Sequence, residues 1–130
     1  MREFRAAVDA RDMAAVEALL AEDVVFTSPV VFRPYPGKAI TAAILRGVLR
    51  VFEDFRYLRE YEGADGRDHA LMFEATVNGR QVQGCDFLRV GEDGLIEELT
   101  VMVRPLSAAN ALAEAMGAQF ERIRREAAGS

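Results

Sequence analysis

The chain has 130 residues, so we predict a single domain over residues 1–130. Apolar residues make up 51% and charged residues 28%, a composition that excludes disordered and low-complexity architectures. The apolar runs are too short to cross a membrane, and no membrane partner is expected. The first residues lack the apolar core of a secretory signal, so we expect a cytoplasmic protein.

The charge and the two scarcest reactive residues exclude further classes of protein. The net charge of −5 argues against a nucleic-acid partner. One cysteine, Cys85, allows no intrachain disulfide, and one histidine, His69, allows no His-rich metal site within one chain. We expect neither a metal nor a cofactor.

Apolar spacing and turn residues predict the first half of the chain as mostly helical. The elements are, in order, helices 2–9 and 12–21, a short strand 24–28, a Pro-bracketed loop Val30–Gly37 and a helix Lys38–Glu53. Asp12 is predicted to cap the second helix, because a short carboxylate there can accept hydrogen bonds from the amides of the first turn.

The second half reads as four consecutive strands and a last helix. The predicted strands are 55–62, 70–77, 80–90 and 95–103. The first of them alternates so that Phe55, Tyr57 and Tyr61 share a side. Ser107 is predicted to cap the helix after Pro105. Strands grouped together after helices predict an α+β fold with an antiparallel sheet.

Four segments of this sequence resemble one family. They are Val8–Asp12, Phe26–Pro29 followed by Gly37, Gly84–Val90 and Glu92–Ile96. In order and spacing the chain resembles the nuclear transport factor 2-like superfamily from Phe4 to about Leu106. That superfamily includes SnoaL-like polyketide cyclases and ketosteroid isomerase.

The resemblance implies a cone-shaped barrel around a deep, largely apolar pocket. In this architecture a strongly curved antiparallel sheet, about four long strands plus a short one, packs on the N-terminal helices. The extra C-terminal helix either closes the mouth of the cone or packs outside, on the sheet or on a partner subunit.

Period-2 alternation then predicts which strand residues face the pocket. Apart from Asp86, the inward residues of the last three strands are apolar or small. The predicted ligand-binding residues are Phe4, Leu20, Ser28, Tyr35, Leu45, Leu71, Phe73, Val82, Leu99, Val101 and Val103.

Asp86 is the candidate catalytic residue. Burial among apolar side chains raises the pKa of a carboxyl group, and a neutral acid can donate a hydrogen bond to a substrate oxygen. The resemblance implies this role, because Asp86 matches the acid that ketosteroid isomerase uses in this way. Alternatively, Asp86 hydrogen-bonds a nearby polar group or lies at the wet mouth of the cone.

Two other groups of the isomerase are replaced. Ser28 lies where the resemblance implies a catalytic aspartate, and Phe4 where it implies an oxyanion-hole tyrosine. We therefore do not expect steroid isomerisation. Ser28 either orients a ligand or Asp86, or it bonds its own backbone before Pro29. Tyr35 is either a polar contact for a ligand or an amphipathic surface ring.

The remaining polar residues are predicted to be structural. His69 is expected to be a solvated turn residue, and Cys85 to lie on the outer sheet face. Glu74 and Arg89 are expected to form cross-strand ion pairs on that face. The same face carries Met72, Phe87 and Met102, with Glu98, Thr100 and Arg104. Exposed apolar groups among charges, together with the resemblance, imply a homodimer through this face.

Two functional hypotheses follow. The first is a SnoaL-like protein that binds an apolar small molecule, such as a polyketide, terpenoid or steroid-like compound, and acts as a cofactor-free isomerase, cyclase or (de)hydratase through Asp86. The second is a non-catalytic dimeric binding module that keeps the fold but has lost the catalytic set.

Overall fold

A computed structural model describes residues 1–129. Its elements are, in chain order, α1 (Arg2–Asp9), α2 (Met13–Ala18), β1 (Leu20–Thr27), β2 (Tyr35–Pro36), α3 (Lys38–Val51), β3 (Glu53–Glu62), β4 (Asp68–Val77), β5 (Arg80–Val90), β6 (Ile96–Arg104) and α4 (Leu106–Ala128). No helix within residues 1–129 is both long enough and apolar enough to span a membrane.

The six strands form one curved, unclosed sheet in the order β2-β1-β6-β5-β4-β3. This confirms the predicted α+β class. All neighbouring pairs are antiparallel except β1 and β6, which run parallel. The expectation of a purely antiparallel sheet was wrong at this pair. A long crossover through α3 and the other strands joins β1 to β6, so no tight turn forces an antiparallel pairing.

Several predicted helix boundaries differ in the structure, and α3 ends at Val51 instead of at Glu53. The second helix ends at Ala18 instead of residue 21, because Leu20 already pairs with Ile96 of β6. The cap assignment to Ser107 was wrong, since the N-cap position of α4 is Pro105, two residues earlier. The predicted cap of α2 is confirmed: the Asp12 side chain accepts a hydrogen bond from the Ala15 amide at 3.1 Å.

A β-bulge in β3 separates the aromatic residues that were predicted to share a side. Tyr57 lies opposite Phe73, whereas Arg59 lies opposite the adjacent Met72, so Leu58 is an extra residue in β3. One extra residue reverses the alternation beyond it. Tyr57 therefore points inward and is buried, while Tyr61 is exposed, which corrects the prediction for Tyr61.

The C-terminal helix packs on α3 and also contacts β4, β5 and β6. A Cβ atom on Gly47 of α3 would lie 2.8 Å from Cδ1 of Ile123 on α4, so the two helices approach closely there. Arg50 donates hydrogen bonds to Glu126 at 2.8 Å and to Gln119 at 2.9 Å. These contacts fix α4 against α3.

The outer sheet face has the predicted ion pairs. Arg56 pairs with Glu74 across β3 and β4, and Arg89 pairs with Asp68 at 2.8 Å across β4 and β5. Cys85 lies on this face as predicted, opposite Met72 on one neighbouring strand and Met102 on the other.

His69 is not the solvated turn residue that was predicted. It lies in β4, and its side chain is only 9% exposed. Its Nε2 atom is 3.0 Å from the Gly66 carbonyl oxygen. His69 pairs with Leu88 of β5, so β4 extends into the segment that was predicted as a turn. Because His69 is part of the sheet, its imidazole packs against the protein.

Candidate functional site

The inner face of the sheet and the helices enclose a cavity of about 200 Å³. Its walls come from all four helices, from all six strands, and from the loop between β1 and β2. Apolar side chains supply almost all of the lining. An apolar cavity of about 150 Å³ is large enough to hold benzene. This cavity therefore has room for a ligand with at least one ring.

One buried hydrogen-bonded pair lies at this cavity. The Tyr57 hydroxyl donates to Oδ2 of Asp86 at 2.8 Å, and both side chains contribute to the lining. The Asp86 residue is only 8% exposed. Asp86 thus has the nearby polar partner that one of the alternatives predicted. Its carboxyl group nevertheless remains part of the cavity wall.

Burial raises the pKa of Asp86 to about 7, although the hydrogen bond from Tyr57 lowers it in part. Burial also raises the pKa of Tyr57 well above its usual value, and the neighbouring Asp86 charge adds to this effect. Near neutral pH, Asp86 therefore populates both protonation states while Tyr57 remains a hydrogen-bond donor. Asp86 can donate a proton in one state and accept one in the other.

An aromatic cluster surrounds the pair. The Tyr57 ring packs edge-on against Phe55 at 4.9 Å and Phe73 at 6.5 Å between ring centroids. The Phe73 ring lies over Gly84, where a Cβ atom would be 2.3 Å from Cζ of the ring. Gly84 thus leaves the space that Phe73 fills, and the rings exclude water from the hydrogen bond between Tyr57 and Asp86.

Sequence reasoning missed Tyr57 as the partner of Asp86. The alternation in β3 correctly placed Phe55 and Tyr57 on one side, and this was the available signal. β4 lies between β3 and β5, so the position of Tyr57 relative to Asp86 depends on the register of β3 on β4. The bulge at Leu58 shifts that register. A contact between Tyr57 and Asp86 could not be obtained from alternation alone.

The structure brings some of the predicted site residues together at the cavity and leaves others away from it. Those that line the cavity are Phe4, Ser28, Tyr35, Leu45, Phe73, Asp86 and Val101. Those that do not are Leu20, Leu71, Val82, Leu99 and Val103. Strand parity predicts the face of a residue but not its depth, and most of the second group are fully buried within the core.

Ser28 and Tyr35 have structural contacts within the cavity wall. The Ser28 hydroxyl accepts a hydrogen bond from the Val30 amide at 3.1 Å, as in a turn that bonds its own backbone. The Tyr35 ring packs between Phe26 and Phe120, with centroid distances of 6.4 Å and 6.2 Å. The interpretation of Ser28 as a loop-stabilising residue is thereby favoured.

The helices supply many lining residues that were not predicted to contact a ligand. They include Val8, Met13, Val16, Ile44, Val48, Leu49, Leu112, Ala113, Met116, Gly117 and Phe120. Most belong to apolar helix stripes that are visible in the sequence. The apolar spacing of a helix is the same whether its stripe packs in a core or lines a cavity. Periodicity therefore does not distinguish core residues from cavity-lining residues.

Comparison with known proteins identifies the class. The structure superimposes on a steroid delta-isomerase from Pseudomonas aeruginosa with a TM-score of 0.89 and 41% sequence identity, over 93% of this chain and 88% of that chain. An uncharacterised bacterial protein with a cystatin-like fold from Silicibacter pomeroyi gives a TM-score of 0.85 and 34% identity, over 96% and 92%. A candidate polyketide cyclase from Pseudomonas putida gives a TM-score of 0.68 and 26% identity, over 82% of this chain and 90% of that chain.

The family model of the SnoaL-like domain matches residues 1–99. The chain therefore belongs to the SnoaL-like family, within the nuclear transport factor 2-like superfamily, as its resemblance implied. No curated protein matches the chain.

Proposed function

We propose that this protein binds an apolar small molecule in its cavity and acts on it as a cofactor-free isomerase, cyclase or (de)hydratase. The observation that carries the proposal is the buried pair of Tyr57 and Asp86 in an otherwise apolar cavity. Similarity to a steroid delta-isomerase and to a candidate polyketide cyclase supports the class of reaction.

Asp86 carries the proposed proton transfer. In its neutral state it donates a hydrogen bond to a substrate oxygen on which negative charge develops. In its ionised state it accepts a proton from the substrate, and Tyr57 holds the carboxylate in place. Asp86 is the one carboxyl group among the described residues that line the cavity. Asp86 is therefore proposed both to donate a proton to the substrate and to accept one from it.

The ligand is proposed to be a polyketide, terpenoid or steroid-like compound with one polar group directed at Asp86. Phe4 and Ser28 both line the cavity, but a phenyl ring cannot donate a hydrogen bond and a serine hydroxyl is a poor base near neutral pH. The proposed chemistry consequently depends on Asp86 and Tyr57, and not on the three-group set of ketosteroid isomerase. Tyr35 serves as an orienting group, whereas Ser28 stabilises its own loop.

Binding is tested with 2-naphthol, a two-ring compound with one hydroxyl group. We expect the protein to bind it, and Asp86→Ala to weaken binding by about tenfold or more, because the variant loses a hydrogen bond to a buried polar group. Fluorescence titration measures both affinities, and Asp23→Ala removes an exposed aspartate as the matched control. Equal affinities of the parent protein and Asp86→Ala would contradict the proposed role.

Proton transfer is tested with 2-tetralone, a bicyclic ketone with acidic C–H bonds beside its carbonyl group. In D₂O the protein should accelerate deuterium exchange at those carbons, and Asp86→Asn should abolish the acceleration, because an amide is not a base. Proton NMR follows the exchange. Tight 2-naphthol binding without accelerated exchange would instead favour the non-catalytic binding module.

We also propose that two copies associate through the outer sheet face. Phe87 and Met102 are 42% and 58% exposed there, on neighbouring strands. Exposed apolar groups of this size lose contact with water when two such faces pack together.

Sedimentation analysis over a dilution series tests the association. The parent protein should be dimeric, and Phe87→Glu and Met102→Glu should be monomeric, because each places a charge in an apolar interface. Leu106→Glu is the control, since Leu106 is an exposed apolar residue that lies in α4 instead of in the sheet. A monomeric parent protein at all concentrations would refute the proposal.

A further inference from the structure

Gly117 lies in the middle of α4 without a packing reason. Glycine is unfavourable in a helix interior, so its presence there calls for a close neighbour or a function. Gly47 of α3 has a close neighbour, since a Cβ atom there would lie 2.8 Å from Ile123. A Cβ atom on Gly117 would meet nothing within 4 Å.

Position 117 lies beside the cavity described above. Gly117 lines the cavity and is also exposed to solvent. Ala113, one helical turn earlier, shares both properties. The loop between β1 and β2 contributes Val31, which lines the cavity and is 41% exposed. Lining residues that remain exposed mark the place where a cavity opens, so the entrance lies between α4 and this loop.

We propose that Gly117 determines ligand specificity by keeping this entrance wide. The inference rests on the proposed function, because it concerns a ligand of that cavity. A side chain at position 117 would extend into open space beside the lining instead of into packed protein. It would narrow the passage and exclude ligands by size, which is selection by a steric barrier.

The α4 side of this entrance lies outside the residues that the family model matches, although the loop with Val31 lies within them. The family model matches residues 1–99, whereas α4 spans Leu106–Ala128. The Tyr57–Asp86 pair belongs to the matched part. The polar pair and the size filter are therefore contributed by different parts of the chain and can be varied independently.

The test uses Gly117→Leu because this variant should fold. Leucine is a far better helix former than glycine, and the new side chain meets no packed atom at its Cβ position. The matched control is Ala118→Leu, which adds the same side chain to the next residue of α4. Ala118 is exposed and is not among the lining residues.

Association rates and affinities are measured for phenol, 2-naphthol and 9-phenanthrol, a series of one to three fused rings. Gly117→Leu should slow both association and dissociation of the two larger compounds by about tenfold or more, change their affinities little, and affect phenol least. Gly117→Ala should fall between Gly117→Leu and the parent protein. Ala118→Leu should bind all three compounds as the parent protein does.

Three outcomes would overturn the inference. If the parent protein binds none of the three compounds, the proposed function fails and no ligand remains for an entrance to select. If the parent protein binds them and Gly117→Leu associates with all three as fast as the parent protein does, this inference alone fails. If Ala118→Leu slows association as much as Gly117→Leu, bulk anywhere on α4 is disruptive and the assignment to Gly117 is wrong.

Discussion

Replacing Asp86 with asparagine is expected to stabilise the protein by as much as about 4 kcal/mol at about pH 8, and to change its stability little at about pH 4. The folded-state pKa of Asp86 is about 7, above the ordinary value of 3.8. As pH rises from the ordinary value to the folded one, the unfolded chain loses this proton while the folded protein keeps it. Stability therefore falls across this interval. Asparagine carries no charge to bury, and its side-chain oxygen can still accept from Tyr57.

Urea unfolding of the parent protein and Asp86→Asn over a series of pH values measures this difference directly. Asp23→Asn is the control, because Asp23 is exposed and its replacement should change the free energy of unfolding by less than about 0.5 kcal/mol at any pH. Parallel stability curves for the parent protein and Asp86→Asn would show that the Asp86 carboxylate is not forced into an apolar environment.

The same variant separates stability from function. Suppose that Asp86→Asn is more stable than the parent protein but no longer accelerates deuterium exchange in 2-tetralone. The Asp86 carboxyl group then lowers the stability of the protein and is required for its activity. Opposed effects of this kind are typical of active-site residues, whose chemistry requires an unfavourable environment. A structural residue would show the reverse: its replacement would lower stability first.

Phe73→Ala is expected to destabilise the protein by about 3–5 kcal/mol, which is the usual cost of removing a buried phenyl ring. The Phe73 ring is fully buried and has centroid distances of 5.6 Å to Phe52 and 5.0 Å to Phe55. Its removal also takes away the edge-on support of Tyr57. The variant should therefore lose part of the pKa elevation at Asp86, because water reaches the hydrogen-bonded pair.

Urea unfolding measures the stability loss, and the pH dependence of unfolding reports the change at Asp86. Phe32→Ala is a matched control, because Phe32 is entirely exposed and its truncation removes no packing. A loss below about 1 kcal/mol in Phe73→Ala would mean that the neighbouring rings collapse into the vacated space.

The sequence predicts those parts of the fold that depend on local pattern. Alternation and turn residues define the four long strands, and the order of elements defines the α+β class. The inward direction of Asp86 also follows from alternation, because β5 is regular against both of its neighbours over the segment that contains it.

The remaining features depend on register and depth, which local pattern does not encode. The bulge at Leu58 decides that Tyr57 meets Asp86 and that Tyr61 faces solvent. The parallel pairing of β1 with β6 is set by a crossover connection and not by a turn. Leu71 and Val101 flank Asp86 on neighbouring strands, yet only Val101 reaches the cavity, because the packing above each side chain decides its depth.

The bulge at Leu58 has a further consequence for the edge of the sheet. Because the sheet does not close, β3 is an edge strand with unpaired backbone groups along one side. A flat edge of that kind invites uncontrolled strand addition and aggregation. The bulge twists this edge, and Arg56, Arg59, Glu60 and Glu62 place charges along it. This edge is thus protected against open-ended stacking of further strands.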